Sequence, residues 1–289
     1  MEIDIDNFIV EPGKQVNLHK DFDPGYKPKI EKEQALGLMT ESMEKLSDYQ
    51  EKLYAENTQS LLIIFQAMDA AGKDGTIKHV LSGLNPQGCQ LFSFKAPNDE
   101  ELDHDYLWRS TRCLPERGRM GIFNRSYYEE VLVVRVHPQI LEGQRLPEAV
   151  KDTGIWKKRF NQIKDYEKYL VENGTQIVKF FLNVSKDEQK RRFLARIDQP
   201  EKNWKFSPND VRERAFWDNY QEAYQDVFEQ TSTESAPWYV IPADHKWVTH
   251  LAVSSVLRHT LKKMDPRFPE LDEDGDWQRL FLERLCAPW

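Results

Sequence analysis

The sequence predicts an α/β fold in which a parallel sheet lies between layers of helices. Three observations predict it. Short apolar runs of strand length recur along the chain, and segments with helical periodicity separate them. One run, LLIIF at 61–65, is apolar at every position, as a strand covered on both faces requires. Strands spaced by helices make right-handed βαβ crossovers, which place helices on both sides of one sheet.

The elements follow in order. The first thirty residues carry Pro12, Pro24 and Pro28 and little periodicity, so an extended arm over the surface is expected there. Residues 31–56 predict a helix, with Leu36, Met39, Met43, Leu46 and Tyr49 at three- and four-residue steps. After the strand at 61–65 comes a helix over 74–83, then a strand over 90–94. Asn98 is an N-cap for a helix reaching Arg109. A short strand over 120–123 follows, then a helix over 154–172 with Ile155, Phe160, Ile163, Tyr166 and Leu170 on one face. A strand over 176–182, a charged helix from Lys186, a strand over 238–241 and a helix over 246–263 complete the alternation. Residues 31–265 are read as one domain. Residues 266–289, with Pro266, Pro269 and an LDEDGD stretch, are read as a peripheral tail.

Composition narrows the function. The chain has 289 residues and a net charge of −8, which argues against a general nucleic-acid binder with a basic face. Cys89, Cys113 and Cys286 are an odd number without CxxC spacing, which points to reduced thiols and a cytoplasmic protein rather than a disulfide scaffold or zinc site. The acidic opening MEIDIDNFIVEPGK is no secretory signal. No apolar run approaches the about 18 residues that span a bilayer, so no membrane partner is expected.

The strongest chemical signal directly follows the first buried strand and opens a helix: Ala67-Met68-Asp69-Ala70-Ala71-Gly72-Lys73-Asp74-Gly75-Thr76. This is the setting of a phosphate-binding loop. Small residues let backbone N–H groups turn toward phosphate oxygens, the helix N-terminus adds partial positive charge, and Lys73 supplies a mobile cation. The match to GxxxxGK[ST] is imperfect. Ala67 stands where the first glycine belongs, and Asp74 where Ser or Thr would meet magnesium. Asp69, at the carboxyl end of the strand, can bind Mg²⁺ or take a proton from an attacking phosphate. Asp74 is either a metal-shell oxygen or an acid that stabilises the helix dipole.

Two further segments fit a site for phosphates. The strand at 120–123 ends in Asn124-Arg125, so Asn124 holds the place of a Walker B acid and Arg125 can aim a guanidinium at phosphate. Residues 190–214 concentrate Lys190, Arg191, Arg192, Arg196, Lys202, Lys205, Arg212 and Arg214 in an acidic chain. Within them 198–208 reads as a loop with prolines near its ends. A basic loop between helices is the pattern of a lid closing over phosphates.

These residues also carry a family resemblance. In MDAAGKDGTIKHV, the NPQG after it, SFKAP, HDYLWR, IFNRSYYEEVLVVRVHP, KFFLNVSKDEQKRR, NWKFSPND and TSTESAPWYVIPADHKW, the chain resembles the second family of polyphosphate kinases, from about residue 15 to about 265. The resemblance implies a thymidylate-kinase-like P-loop kinase fold, three layers with a basic lid. It implies phosphoryl transfer, in either direction, between inorganic polyphosphate and nucleoside mono-, di- and triphosphates such as AMP, ADP, GMP and GDP. Magnesium is the expected cofactor, with manganese as an alternative, and a homo-oligomer, dimer or tetramer, is expected. Carried over, the catalytic residues are Asp69 (also the metal ligand), Lys73 and Arg125. Phosphate and nucleotide contacts fall to Ala70, Ala71, Gly72, Asp74, Gly75, Thr76, Asn124 and Glu129. Lid cations are drawn from Arg191, Arg192, Arg196, Lys202 and Lys205. Many members carry Asp-Arg-Ser-Trp-Tyr-Asn where this chain has Asn124-Arg125-Ser126-Tyr127-Tyr128-Glu129, a form resembling the subgroup that phosphorylates both mono- and diphosphates. The competing readings are an ATP-dependent nucleoside monophosphate kinase and a non-catalytic polyphosphate-binding module.

Overall fold

The computed structural model describes residues 3–270. Five parallel strands form one sheet: β1 (Ser60–Gln66), β2 (Cys89–Ser93), β3 (Met120–Asn124), β4 (Thr175–Asn183) and β5 (Trp238–Pro242). Their spatial order is β2-β3-β1-β4-β5, the arrangement of a P-loop kinase. All seven residues of β1 are buried, which is why its central run, 61–65, is apolar without alternation. β2 lies at the edge, and there Leu91 is half exposed.

Among the described residues seven longer helices cover the sheet and its carboxyl edge: α1 (Lys32–Glu56), α2 (Lys73–Leu81), α3 (Ile155–Glu172), α4 (Lys186–Asp198), α5 (Pro208–Arg214), α6 (Trp217–Thr231) and α7 (Lys246–Met264). The chain leaves β1 for β2 in one direction and later crosses from β3 to β4 in the other. Right-handed crossovers therefore put α2 on one face and α3 with α6 on the opposite face. α7 packs on α1 and α2 and joins the first layer, while α6 packs on α3. The sheet reverses its winding at β1, so the turn after β1 opens at the centre of the carboxyl edge, where open α/β sheets bind ligands.

Three details differ from expectation. The helix of 31–56 forms, but Leu36 faces solvent while Ala35, Met39, Ser42, Leu46, Gln50 and Leu53 make the buried stripe. The helix expected from Asn98 to Arg109 is two turns, Asp99–Leu102 and Trp108–Thr111. Asn98 does cap the first, in a reciprocal box with Glu101, but the Asp105 carboxylate then accepts the Leu107 N–H, a local bond that competes with helix. The segment read as a loop at 198–208 contains a 3-10 helix, Pro200–Lys205, because Pro200 presets the first turn.

The N-terminal residues pack firmly. Phe8, Val10 and Leu18 are buried, the Val10 N–H donates to the Trp238 carbonyl of β5, and Ile9 forms an antiparallel bridge with Tyr239. The Asn183 amide reaches the Phe22 carbonyl. The aromatic residues Trp217, Tyr224 and Trp238 are core. Residues 271–289, most of the expected tail and Cys286 with it, lie outside the described residues.

Candidate active site

The turn from β1 into α2 is shaped by two left-handed residues, Ala70 at φ 61° and Gly72 at φ 107°. A non-glycine residue held at positive φ is uncommon and clusters at functional sites. α2 begins at Lys73, and the first i→i−4 bond of the helix runs from the Thr76 N–H to the Gly72 carbonyl at 3.0 Å. The amides of Lys73, Asp74 and Gly75 are thus the helix's own unsatisfied donors, gathered at a positive dipole end. Thr76 is buried, with its N–H already engaged. Lys73 folds back across the turn, and its Nζ donates to the Ala67 carbonyl at 2.9 Å. Burial and the neighbouring Arg125 charge push the Lys73 ammonium below the usual lysine range.

The end of β3 faces this turn. Arg125 is also left-handed, at φ 66°, and its N–H donates to the Phe65 carbonyl of β1 at 2.9 Å. Its guanidinium lies 3.4 Å from an Asp69 oxygen and 3.8 Å from a Glu129 oxygen. These carboxylates, Glu129 above all, hold Arg125 firmly charged. Asn124 donates to Asp74 at 2.8 Å, so the neutral residue at the strand end and the acid in the helix's first turn form one unit. Gln66 fixes the next turn, accepting from Ser126 and donating to Glu129 at 2.9 Å. The sequence residues Asp69, Lys73, Asp74, Asn124, Arg125 and Glu129 are therefore brought together.

A cleft of about 240 Å³ opens in front of Asp69 and Arg125. Its far wall comes from α5 and α6 and includes Asp210, Glu213, Tyr220 and Tyr224. The sequence reading did not single these out, although Asp210 falls in the quoted NWKFSPND. Burial, and then the Asp69 charge, raise the Asp210 carboxyl above its ordinary range. Gln189 was not singled out either, although it falls in the quoted KFFLNVSKDEQKRR. Its amide donates to the Asp69 carbonyl at 3.0 Å while its oxygen accepts from Arg214 at 2.6 Å, tying the turn to α4 and α5.

The expected lid cations fall into different places. Arg196 bonds the Lys205 carbonyl and Asp210, the latter at 2.5 Å, and so braces the segment internally. Lys205 stands over the exposed Trp204 ring, 4.9 Å from its centroid. Arg191 is exposed and held by both oxygens of Glu188. Arg192 is committed to the backbone. It donates to the Ala70 and Ala71 carbonyls at 3.0 and 2.7 Å, to the Ala243 carbonyl at 2.5 Å and to Glu188 at 2.6 Å. A side chain with its donors spent on carbonyls of the turn fixes the turn's shape.

The family model for Polyphosphate kinase 2 matches residues 29–269. The chain belongs to the polyphosphate kinase 2 family. It is 54% identical over 274 residues to an ADP-polyphosphate phosphotransferase of Rhodopseudomonas palustris, covering 93% of this chain and 94% of the relative. It is 44% identical over 265 residues to an AMP/ADP-polyphosphate phosphotransferase of Meiothermus ruber, covering 91% and 95% of the two chains. The crystal structure of Polyphosphate Kinase 2 from Arthrobacter aurescens TC1 superposes with a TM-score of 0.86 at 42% identity, covering 95% of each chain. This polyphosphate kinase 2 family member is a phosphotransferase with a P-loop kinase fold. No helix among its described residues is long and apolar enough to cross a membrane.

Proposed function

We propose that this enzyme moves phosphoryl groups reversibly between inorganic polyphosphate and nucleoside mono- and diphosphates. The observation that carries the reading is the turn after β1, where unsatisfied helix amides and Lys73 face Arg125 and Asp69 across the mouth of the sheet. In the forward direction a polymer P–O bond breaks and a new one forms to the acceptor's terminal phosphate oxygen, leaving the polymer one phosphate shorter. Lys73 and the amides of the turn hold the transferring phosphates. Arg125, kept charged by Asp69 and Glu129, neutralises charge on the passing group. Such transfer depends mainly on positioning and electrostatics. Residues 190–214 act as the lid, and the tyrosine-lined cleft takes the nucleotide.

The donor set fits magnesium. Asp69 is partly exposed at the cleft, and its contact to Arg125 is long enough for a cation to compete. Among the described residues no group of three or more His, Cys, Asp or Glu side chains gathers to hold a metal. Mg²⁺ suits such a site, because it takes one or two carboxylates and completes its shell with water and substrate phosphates. When bound, the ion neutralises charge on the phosphates. The same reading places a homo-oligomer, dimer or tetramer, in the cytoplasm.

The purified protein, given polyphosphate and Mg²⁺ without ATP, should convert ADP to ATP and AMP to ADP, followed by chromatography in separate reactions. EDTA should abolish both. Product only with ATP as donor would favour an ordinary nucleotide kinase, and polyphosphate binding without any transfer would favour a binding module.

A further inference from the structure

The IFNRSYYEEVLVVRVHP segment carries, next to its end, a histidine that takes no part in the chemistry above. His137 follows the helical turn Val133–Val136, and its N–H donates to the Val133 carbonyl at 2.9 Å. Pro138 comes next. A residue before proline is biased away from helix, so the turn stops at His137, which sits at ψ 80°. The side chain is 12% exposed. Its ring packs edge-on to Phe216, with centroids 4.8 Å apart, at the bend between α5 and α6.

The polar contact is specific. His137 Nε2 lies 2.9 Å from a carboxylate oxygen of Glu213 in α5, and the Tyr220 hydroxyl donates to the same oxygen at 2.8 Å. A carboxylate only accepts, so Nε2 carries the proton in this bond. Burial, and then the bond to Glu213, hold the Tyr220 hydroxyl well above its usual range, so it too stays a donor. Glu213 and Tyr220 line the cleft in front of Asp69 and Arg125, and His137 does not. The histidine supports that wall from outside the cleft. Its own segment is anchored, because Arg135 bonds Asp226 of α6 at 2.5 Å. Among the described residues the bond to Glu213 is the side-chain hydrogen bond that joins α5 to the segment after β3. The start of the lid is held independently, since Arg192 fastens α4 to the phosphate turn.

The geometry points to His137 as a positioning residue: by holding Glu213 it fixes the end of the lid and Tyr220 as the wall that receives the nucleotide, and so sets affinity for the nucleotide rather than for polyphosphate. This deepens the reading that the cleft takes the nucleotide, and rests on it. A tyrosine whose hydroxyl is already committed has lost its freedom before the ligand arrives, and preorganisation of this kind strengthens binding.

The test compares three variants. His137→Phe keeps a ring against Phe216 but loses the donor. His137→Asn keeps an amide that stops short of Glu213. His137→Gln places an amide nitrogen close to where Nε2 stands. With the first two, KM for ADP should rise about tenfold, the usual consequence of losing a hydrogen bond to a charged group. The KM for polyphosphate and kcat should change little, and His137→Gln should restore most of the ADP affinity. An equal rise in KM for both substrates, no rise for ADP, or a glutamine variant as impaired as the phenylalanine one would overturn the role. Calorimetric titration of ADP without polyphosphate gives Kd on the folded protein even if the wild type transfers nothing, so a lowered unfolding midpoint does not hide the result. Val133→Trp, which fills the cleft from its wall, separates the two readings. An unchanged ADP Kd in that variant would remove the nucleotide from the cleft and overturn the proposal with it. Lost ADP binding there, with wild-type Kd in His137→Phe, would overturn the role of His137 alone.

Discussion

Lys73→Ala is expected to slow phosphoryl transfer by about 10²–10³-fold, the usual cost of removing one preorganised charge from a transition state. The magnitude follows from the position of Nζ. It bonds the Ala67 carbonyl at 2.9 Å within the phosphate turn, next to the unsatisfied amides of the first α2 turn. A phosphate entering there replaces that carbonyl with a charged acceptor, and the bond becomes charge-assisted. Asp69→Asn should have a comparable effect by another route. The amide keeps the shape of the side chain but can neither balance Arg125 nor hold a cation with a full charge. The Asp69 variant should also need more Mg²⁺ for half-maximal rate, which the Lys73 variant should not. Both proteins should unfold at denaturant midpoints close to wild type, because Lys73 is only half-buried and the Asp69 change is isosteric. Rates within threefold of wild type for either variant would remove that residue from the mechanism. A large fall in midpoint would instead mark it as structural.

How far the residues foretell this arrangement depends on the range of the interaction. The β1 strand and the turn after it are legible because the signal is local: seven buried residues, then small residues, Gly72 and Lys73 in sequence. The pairing of Asn124 with Asp74 shows the limit. Each residue departs from its usual pattern, and only the fold shows that they bond to one another across 50 positions. Gln189 and the two roles of Arg192 lie further out of reach. An arginine in a basic run looks like a lid cation, and nothing in the run reveals that its donors are spent on four carbonyls from two distant loops. The helix expected over 98–109 failed for a local reason that a propensity scan passes over, the Asp105 carboxylate capturing a backbone N–H.

Lys179→Met should destabilise the protein by about 3–5 kcal/mol, the cost of leaving a buried charge without its partner. Lys179 is fully buried in the middle of β4, and its ammonium donates to Glu167 at 2.6 Å, to the Tyr128 hydroxyl at 3.0 Å and to the Thr231 carbonyl at 2.8 Å. Glu167, itself 1% exposed, also accepts from the Tyr127 and Tyr128 hydroxyls at 2.8 Å each. All three ammonium donors are used, so removing the lysine strands a carboxylate that two hydroxyls cannot neutralise. Burial alone pushes the lysine below its usual range, and only the Glu167 charge opposes this. The two partners thus depend on each other. The double change Lys179→Met with Glu167→Leu should recover part of the loss, since replacing a buried pair by apolar groups is often near neutral. Equilibrium urea unfolding of the single and double variants measures this directly, and a single-variant loss below about 1 kcal/mol would mean that the pair contributes no more than an exposed one. The network bears on activity too. Tyr127 and Tyr128 follow Arg125 by two and three residues, so the ion pair behind the sheet holds the turn that aims the guanidinium. Lys179→Met should therefore lower kcat even under conditions where the protein stays folded.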